Sequence, residues 1–267
     1  MRIFIGSDIE GVAGLSTFEE AGMQDTNKYQ WACHQMSKEV AAACRGAFNA
    51  GATEVVVKDA HAYGRNVIID YLPKKAKLIS SVTNTPWGMV GGIDEGYDYL
   101  MFVGYHDAAG SDKNPTAHTI SSRVVTKMTL NGKLCSEFLI YATAGAYLGI
   151  PTVFISGDEG IAKRAKEFNE NIVGYGTKRG IGNAVISKQP ELVIEEIEKL
   201  VEEALSGDLD RYKVKLPEHF ELVVHYFRHF EALRKSYYPG ASLLDPYTVK
   251  FEHDDYFEIL RFLLFAI

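Results

Sequence analysis

Four short apolar runs, separated by longer helical patterns, constrain the fold of this chain most. They are rich in Ile, Val and Phe and show no polar alternation: Arg2–Gly6, Glu54–Val57, Tyr99–Val103 and Thr152–Ile155. Such runs are typical of strands that helices cover on both faces. The alternation of strands and helices predicts an α/β fold, with a mainly parallel sheet flanked by helices and joined by right-handed crossovers.

Two helices are well delimited by the sequence. The pattern predicts one helix over Gln30–Ala50, with Gly51 just past its end as the C-terminal cap. It predicts a second, amphipathic helix over Glu191–Leu205, which begins at Pro190.

A different pattern begins after residue 120. Val124, Thr126, Met128 and Leu130 alternate with other residues and are followed by Asn131-Gly132, a strong signal for a two-residue hairpin. A helical stretch over Phe138–Leu148 comes next.

The C-terminal part predicts a smaller α+β unit. Alternation over Phe220–Tyr226 and Tyr247–Phe251 indicates two strands, each followed by a short helix. The glycine-rich, polar segment Lys178–Asn183 favours a boundary nearby. We therefore expect a larger α/β domain at 1–180 and a smaller C-terminal α/β domain at 181–267.

Composition excludes several classes of protein. The net charge of −7 argues against a nucleic-acid partner, which usually meets a basic face. No apolar run reaches the ~18 residues of a membrane span, and Asp8 comes too early for a signal peptide. The three cysteines form no CxxC motif, so a reducing, cytoplasmic location is expected.

Polar residues able to bind metals follow each of the four predicted strands. The pairs, in chain order, are Asp8 and Glu10, Asp59 and His61, His106 and Asp107, and Asp158 and Glu159. Ligands of open α/β sheets bind outside the carboxyl ends of the strands, where these residues converge. Any one pair is ordinary strand-end polarity, but all four together favour a functional site.

The residue types favour a divalent metal. Imidazoles with carboxylates are a ligand set that zinc and neighbouring metals prefer. Asp8 and Glu10 fall on one face of a continuing strand and would repel each other without a cation between them. Taken singly, His61 and His106 are better explained as hydrogen-bonded loop histidines, and Glu137 as favourable charge at a helix N-terminus.

His118 lies in a loop that also holds Gly110, Ser111, Asn114 and Pro115. We expect this loop to form a mobile rim, on which a histidine can act as an acid or base near neutral pH. The chain has no GK[ST], G-x-S-x-G or H-E-x-x-H motif. These absences count against P-loop NTPases, α/β-hydrolases and zincins.

Six motifs, taken together and in this order, resemble a known family. They are Ser7-Asp8-Ile9-Glu10-Gly11, Lys58-Asp59-Ala60-His61, Gly104-Tyr105-His106, Ala117-His118-Thr119, Gly132–Glu137 and Ser156-Gly157-Asp158. The chain resembles the DppA-type D-aminopeptidases, the M55 zinc metallopeptidases. The similarity runs over roughly the whole chain and is strongest before residue 160.

The resemblance implies two zinc ions per subunit and a homo-oligomer, in this family a decamer. By motif, the metal ligands are Asp8, Glu10, His61, His106 and Glu137, with Asp8 as the bridge, and the catalytic residue is His118. The implied activity is hydrolysis of short peptides with a free N-terminus, containing D-amino acids, by a metal-activated water.

Several further assignments stay open at this point. Asp59 and Asp158 are expected either to orient the ligating imidazoles or to cap the strand ends, and Asp107 or Asp158 to pair with a substrate amine. A two-metal phosphoesterase is an alternative, since a similar ligand set serves phosphoryl transfer, and Lys178-Arg179 is its one candidate phosphate-binding pair. A non-catalytic module that binds peptides or metals is another.

Overall fold

Two β-sheets organise the chain, and a computed structural model describes all of its residues, 1–267. The larger sheet, sheet A, has seven strands in the order β3-β2-β1-β4-β7-β8-β9, and only the β8–β9 pair is antiparallel. Its strands are β1 (Arg2–Ser7), β2 (Glu54–Asp59), β3 (Ala76–Ile79), β4 (Tyr99–Tyr105), β7 (Thr152–Asp158), β8 (Val173–Ile181) and β9 (Ala184–Ser187).

The smaller sheet, sheet B, has five antiparallel strands in the order β11-β12-β10-β5-β6. They are β5 (Val125–Leu130), β6 (Lys133–Leu134), β10 (Phe220–Tyr226), β11 (Ser242–Asp245) and β12 (Thr248–His253). The β5–β6 turn holds Asn131 and Gly132 at φ of 49° and 76°, as the predicted hairpin requires.

Six α-helices accompany the sheets. They are α1 (Thr26–Asn49), α2 (Glu137–Tyr147), α3 (Glu159–Phe168), α4 (Pro190–Ala204), α5 (His229–Lys235) and α6 (Tyr256–Ala266). The side chain of Asp25 caps α1, and Gly51 follows its end at φ 90°. α1 and α4 pack so closely that a Cβ on Gly46 would overlap the Glu198 carbonyl.

The predicted fold class is confirmed, because a mainly parallel sheet with helices is joined to a smaller antiparallel unit. Each of the four apolar runs forms a strand at the centre of sheet A. None of the helices in the structure has both the length and the apolar character needed to cross a membrane.

The sequence pattern does not predict strand β8, because its glycines at 174, 176 and 180 are typical of a loop. The structure shows why small residues are needed there. A Cβ on Gly174 would lie 2.6 Å from the Ala162 carbonyl, and one on Gly180 would lie 2.6 Å from the Lys113 carbonyl. Helix α3 and the loop before His118 therefore press directly onto this strand.

The predicted boundary between residues 180 and 181 does not coincide with the division between the sheets. It falls inside β8, and β9 and α4 beyond it complete the layers of sheet A and its helices. The β5–β6 hairpin, from the first 180 residues, belongs to sheet B. The smaller unit is thus built from two separated stretches of chain, which alternation along the sequence does not reveal.

Candidate metal centre

The site lies at the carboxyl edge of sheet A, where β2, β1 and β4 are neighbours. Strands β2 and β3 lie on one side of β1, and strands β4 and β7 lie on the other. The chain connections therefore run in opposite directions on the two sides of β1. Such a switch in strand order opens a crevice at the strand ends, where ligands of α/β proteins bind.

Asp8 and Glu10 lie in a turn that docks onto β4. The amide of Asp8 donates to the Val103 carbonyl at 2.9 Å, and that of Gly11 donates to the Gly104 carbonyl at 2.8 Å. A Cβ on Gly11 would overlap the Tyr105 carbonyl, so only glycine allows this approach.

Strand β8 holds the same turn from its other side. The buried Lys178 ammonium donates to the carbonyls of Glu10 and Leu15, both at 2.6 Å. The hydroxyl of Thr177 donates to the Gly11 carbonyl at 2.6 Å. Burial lowers the pKa of Lys178 to about 8. Lys178 therefore supports the turn and is not available to bind a substrate phosphate, contrary to the role considered for Lys178-Arg179.

His61 points one defined nitrogen at the two carboxylates. Its Nε2 donates to the Ala21 carbonyl at 2.8 Å. Its Nδ1 consequently faces Glu10 Oε2 at 2.9 Å and Asp8 Oδ1 at 3.3 Å.

His106 is oriented by the same device. Its Nδ1 donates to the Asp107 carbonyl at 2.9 Å. Its Nε2 then faces Glu137 Oε2 at 3.2 Å and Asp8 Oδ2 at 3.4 Å. The two oxygens of Asp8 thus face two different imidazoles.

Glu137 is the first residue of α2, and the Ser136 side chain caps that helix by accepting from the Leu139 amide. Glu137 Oε1 accepts from the Ile120 amide at 2.6 Å. Ile120 has a φ of 62°, which is strained for a β-branched residue. Strain of this kind persists where surrounding bonds enforce it, commonly beside a functional site.

His118 completes the cluster. Its ring stacks on His106 with centroids 4.1 Å apart, and Phe18 meets its other side edge-on at 5.4 Å. Nδ1 donates to the Thr116 carbonyl at 3.0 Å, which leaves Nε2 3.7 Å from Glu137 Oε1.

The loop that carries His118 is held down by several hydrogen bonds, in contrast to the mobile rim expected from its composition. The His118 amide donates to the Asp107 carbonyl at 3.2 Å. The buried Thr119 hydroxyl donates to the Cys135 carbonyl at 2.8 Å and accepts from the Ala109 amide at 3.0 Å.

Four ligand atoms of the cluster are buried without a hydrogen bond. They are Asp8 Oδ2, Glu10 Oε2, His106 Nε2 and Glu137 Oε2. Buried polar atoms left without partners are costly, and a cation among them removes that cost. Ligand atoms of Asp8, Glu10 and His106, and likewise of His106, His118 and Glu137, lie within 4.8 Å of one another. The donor set therefore fits divalent metal ions.

The charges of the cluster are strongly coupled. Burial and the neighbouring Glu10 charge raise the pKa of Asp8 to about 7. Burial acts to raise the pKa of Glu10, but the charge of His61 outweighs it and leaves that pKa well below its usual value.

The two imidazoles facing carboxylates shift the other way. Burial acts to lower the pKa of His61 and His106, but Glu10 outweighs it for His61 and Glu137 for His106, so both pKa values rise well above normal. Burial and the His106 charge lower the pKa of His118, which is therefore neutral near pH 7.

The side-chain carboxylates of three aspartates near the cluster do not contact its imidazoles. Asp59 accepts from the amides of Asn66 and Val67 and so organises the loop after His61. Asp158 caps α3 and accepts from the Asp107 amide at 2.8 Å. These two residues have the capping role, and backbone carbonyls orient the imidazoles instead.

Asp107 binds Arg164 Nε at 2.6 Å and the Ser111 hydroxyl at 2.5 Å. Asp107 and Asp158 are both fully buried, and their oxygens are already bonded within the protein. The predicted pairing of either aspartate with a substrate amine is therefore wrong.

A cavity of about 650 Å³ opens beside the cluster. Its wall includes the cluster residues Asp8, Glu10, His61, His118 and Glu137. The rest of the wall is mixed, with the apolar Phe18, Met89 and Leu264 and the polar segments Thr83–Thr85 and Ser121–Arg123. The fold and the site are those of an α/β protein with a candidate divalent-metal centre open to a small ligand.

Comparison with known proteins shows the family. The family model of the D-aminopeptidases, peptidase family M55, matches residues 1–265. The chain therefore belongs to the D-aminopeptidase family M55, as the six motifs predict.

Two relatives from Bacillus subtilis are similar to this chain. A D-aminopeptidase of strain 168 is 29% identical over 188 residues, a match that spans 70% of this chain and 66% of the relative. The solved structure of the Zn-dependent D-aminopeptidase DppA, a self-compartmentalizing protease, is 26% identical, with a TM-score of 0.89. That likeness covers 100% of this chain and 96% of the other.

We predict that zinc binding to the metal-free protein releases protons, since ligands must be deprotonated. With the pKa values of His61 and His106 raised and that of Asp8 about 7, these groups hold protons near pH 6. Zinc should then release about two to three protons per chain, and its affinity should rise with pH until it passes those pKa values. Calorimetry in buffers of different ionisation enthalpy measures the release.

His61→Ala is the matched variant for this measurement and should release about one proton fewer. Binding heats independent of the buffer at pH 6 would show that the histidines are not protonated in the metal-free protein.

Proposed function

We propose that this chain is a two-zinc aminopeptidase that hydrolyses short peptides with a free N-terminus, containing D-amino acids. The observation that carries this proposal is the set of four buried, unpartnered ligand atoms facing one another beside an open cavity. The two relatives, a D-aminopeptidase and a Zn-dependent D-aminopeptidase, support it.

Five side chains would hold the two ions: Asp8, Glu10, His61, His106 and Glu137. Five ligands exceed the four that usually hold a single zinc. Asp8 would be shared between the ions, because its oxygens face His61 on one side and His106 on the other. Zinc bound here would polarise a peptide carbonyl and lower the pKa of a water molecule.

His118 would move the proton in the reaction. Its Nδ1–H is bonded to the Thr116 carbonyl, so the lone pair lies on Nε2, on the side of Glu137. Its lowered pKa leaves Nε2 free to accept a proton from the attacking water near pH 7. The same nitrogen would then donate that proton to the leaving amine.

The buried charges favour a substrate with a free amine. Asp8, Glu10 and Glu137 bring three carboxylates to the site, and two divalent ions would leave little net charge there. An α-amine can ligate an ion when neutral or pair with a carboxylate when protonated. Since Asp107 and Asp158 are already bonded, this contact comes from the cluster itself.

The alternatives receive less support from the structure. The two lysines near the cluster do not support a phosphoesterase, because Lys178 and Lys58 are buried and their ammonium groups donate to backbone carbonyls. A non-catalytic binding module would not need His118, with its free Nε2, beside a complete ligand set.

We also propose a homo-oligomer, as large as a decamer. Large apolar side chains are exposed in the C-terminal part of the chain, among them Phe227, Phe230, Tyr237 and Phe265. The relative described as a self-compartmentalizing protease supports assembly. The three cysteines are free and buried, and a cytoplasmic location stays a prediction.

Replacing Asp8 by Ala tests the shared ligand. We expect zinc content to fall from about two ions per chain to near zero, because both ions lose a ligand. Metal analysis after gel filtration measures the content, with the exposed Asp70→Ala as control. Retention of both ions by the Asp8→Ala protein would refute the bridging role.

Replacing His118 by Ala should reduce kcat by roughly 10²–10⁴, the usual contribution of a proton-transferring side chain, and should leave the zinc content unchanged. The exposed His229→Ala is the control. Because His118 lies within ligand range of His106 and Glu137, metal analysis accompanies the kinetics. Zinc loss in parallel with the activity would make His118 a ligand instead of the proton carrier.

Blocking the substrate amine tests the aminopeptidase assignment. N-acetyl-D-Ala-Gly should be cleaved with a far lower kcat/KM than D-Ala-Gly, since acetylation removes the amine contact that positions the scissile bond. Equal rates would favour a broader amidase. Equal or better cleavage of L-Ala-Gly would overturn the D-residue preference alone.

A further inference from the structure

Arg123 is a cation in the cavity that the reaction so far leaves unused. It lies in the same cavity wall as Asp8, Glu10 and His118. Its side chain is exposed, and no carboxylate of the chain lies within ion-pair distance of its guanidinium. Arg164, in contrast, forms an ion pair with Asp107.

The one lysine in the cavity wall, Lys58, is not available to a ligand. Lys58 is buried, and its ammonium donates to the carbonyls of Asp59 and Ser81 at 2.5 and 2.7 Å. Arg123 is therefore the one cation of the wall that is free to meet an anionic group.

The backbone at Arg123 is fixed relative to the metal centre. The Ile120 amide donates to the Glu137 carboxylate, and the Ser121 amide donates to the Thr119 carbonyl at 2.7 Å. The amides of Val124 and Val125 both donate to the Ser121 carbonyl. Arg123 is three residues from the Glu137 contact, so its backbone lies at most about 11 Å from it.

Several hydroxyl-bearing residues share the cavity wall with Arg123. Ser121 and Ser122 precede it in the cavity wall, and the polar segment Thr83–Thr85 lies in the same wall. A guanidinium binds a carboxylate through two parallel hydrogen bonds, and hydroxyl groups satisfy the remaining lone pairs.

We propose that Arg123 binds the α-carboxylate of the peptide substrate and thereby selects short peptides. The inference rests on the proposed aminopeptidase function. A dipeptide spans about 7 Å from amine to carboxylate, which is within the limit of about 11 Å between the Arg123 backbone and the Ile120–Glu137 contact. Each further residue moves the carboxylate about 3.5 Å away, so the contact is lost in longer peptides.

The test compares D-Ala-Gly with its C-terminal amide, D-Ala-Gly-NH2. In the zinc-loaded protein, Arg123→Ala should lower the ratio of kcat/KM for the acid to kcat/KM for the amide by about tenfold, the usual effect of one charge-assisted contact. The change should reside in KM, because the contact lies away from the reacting atoms. Arg123→Lys should retain part of the preference, since it keeps the charge without the fork.

Arg179→Ala is the matched control, because Arg179 is an exposed arginine outside the cavity wall. Its acid-to-amide ratio should equal that of the unaltered protein. An unchanged ratio in Arg123→Ala, or an equal loss for acid and amide, would overturn the proposal.

A binding measurement separates this proposal from the proposed function. Calorimetry on the zinc-loaded His118→Ala protein compares the affinities for both peptides with and without Arg123→Ala. If the unaltered protein cleaves neither peptide, the aminopeptidase function is refuted. An Arg123→Ala change that lowers the affinity for the acid about tenfold, but not that for the amide, still supports the carboxylate site. Equal affinity for acid and amide, or binding of neither, refutes it.

Discussion

The crowding of three buried carboxylates at one edge of a parallel sheet is the constraint on which the rest of this structure depends. Asp8, Glu10 and Glu137 are nearly inaccessible to solvent, and each has an oxygen without a hydrogen bond. Such an arrangement is unfavourable unless positive charge lies among the carboxylates. His61 and His106 supply that charge in the metal-free protein, and metal ions would replace their protons in the loaded one.

Hydrogen bonds to backbone carbonyls hold the charged side chains of the cluster in place. Carbonyls of Ala21, Asp107 and Thr116 fix the three imidazoles, and the Lys178 ammonium donates to the carbonyl of Glu10. Glycines in β8 and at position 11 lack the Cβ atoms that would keep α3, the loop before His118 and the end of β4 farther away. Buried polar networks that are fully bonded rigidify a site, and this network leaves ligand atoms of Asp8, Glu10, His106 and Glu137 without hydrogen bonds.

The sequence predicts the strands of sheet A that carry the site, since apolar runs buried on both faces have an unambiguous pattern. Polar residues at parallel strand ends must converge, and this predicts the meeting of Asp8, Glu10, His61 and His106. The places of Glu137 and His118 in the cluster follow only from the resemblance of their motifs to the family. It does not predict that β8 is a strand, since its glycines serve close packing. Nor does it predict that carbonyls orient the imidazoles or that Asp107 is paired with Arg164, because a carbonyl has no residue signature and a long-range partner is invisible in one sequence.

The polarity of the cavity is the link between this architecture and the substrate. Carboxylates converge at its floor, where β1 ends and α2 begins, and the free guanidinium of Arg123 lies in its wall. A short peptide is a zwitterion with its amine and carboxylate a few ångströms apart, so it matches this separation of charge. The loop from His106 to Arg123 thus joins the metal centre, the proton carrier and the carboxylate site in one stretch of chain, and its hydrogen bonds to Glu137 and Cys135 keep the three in register.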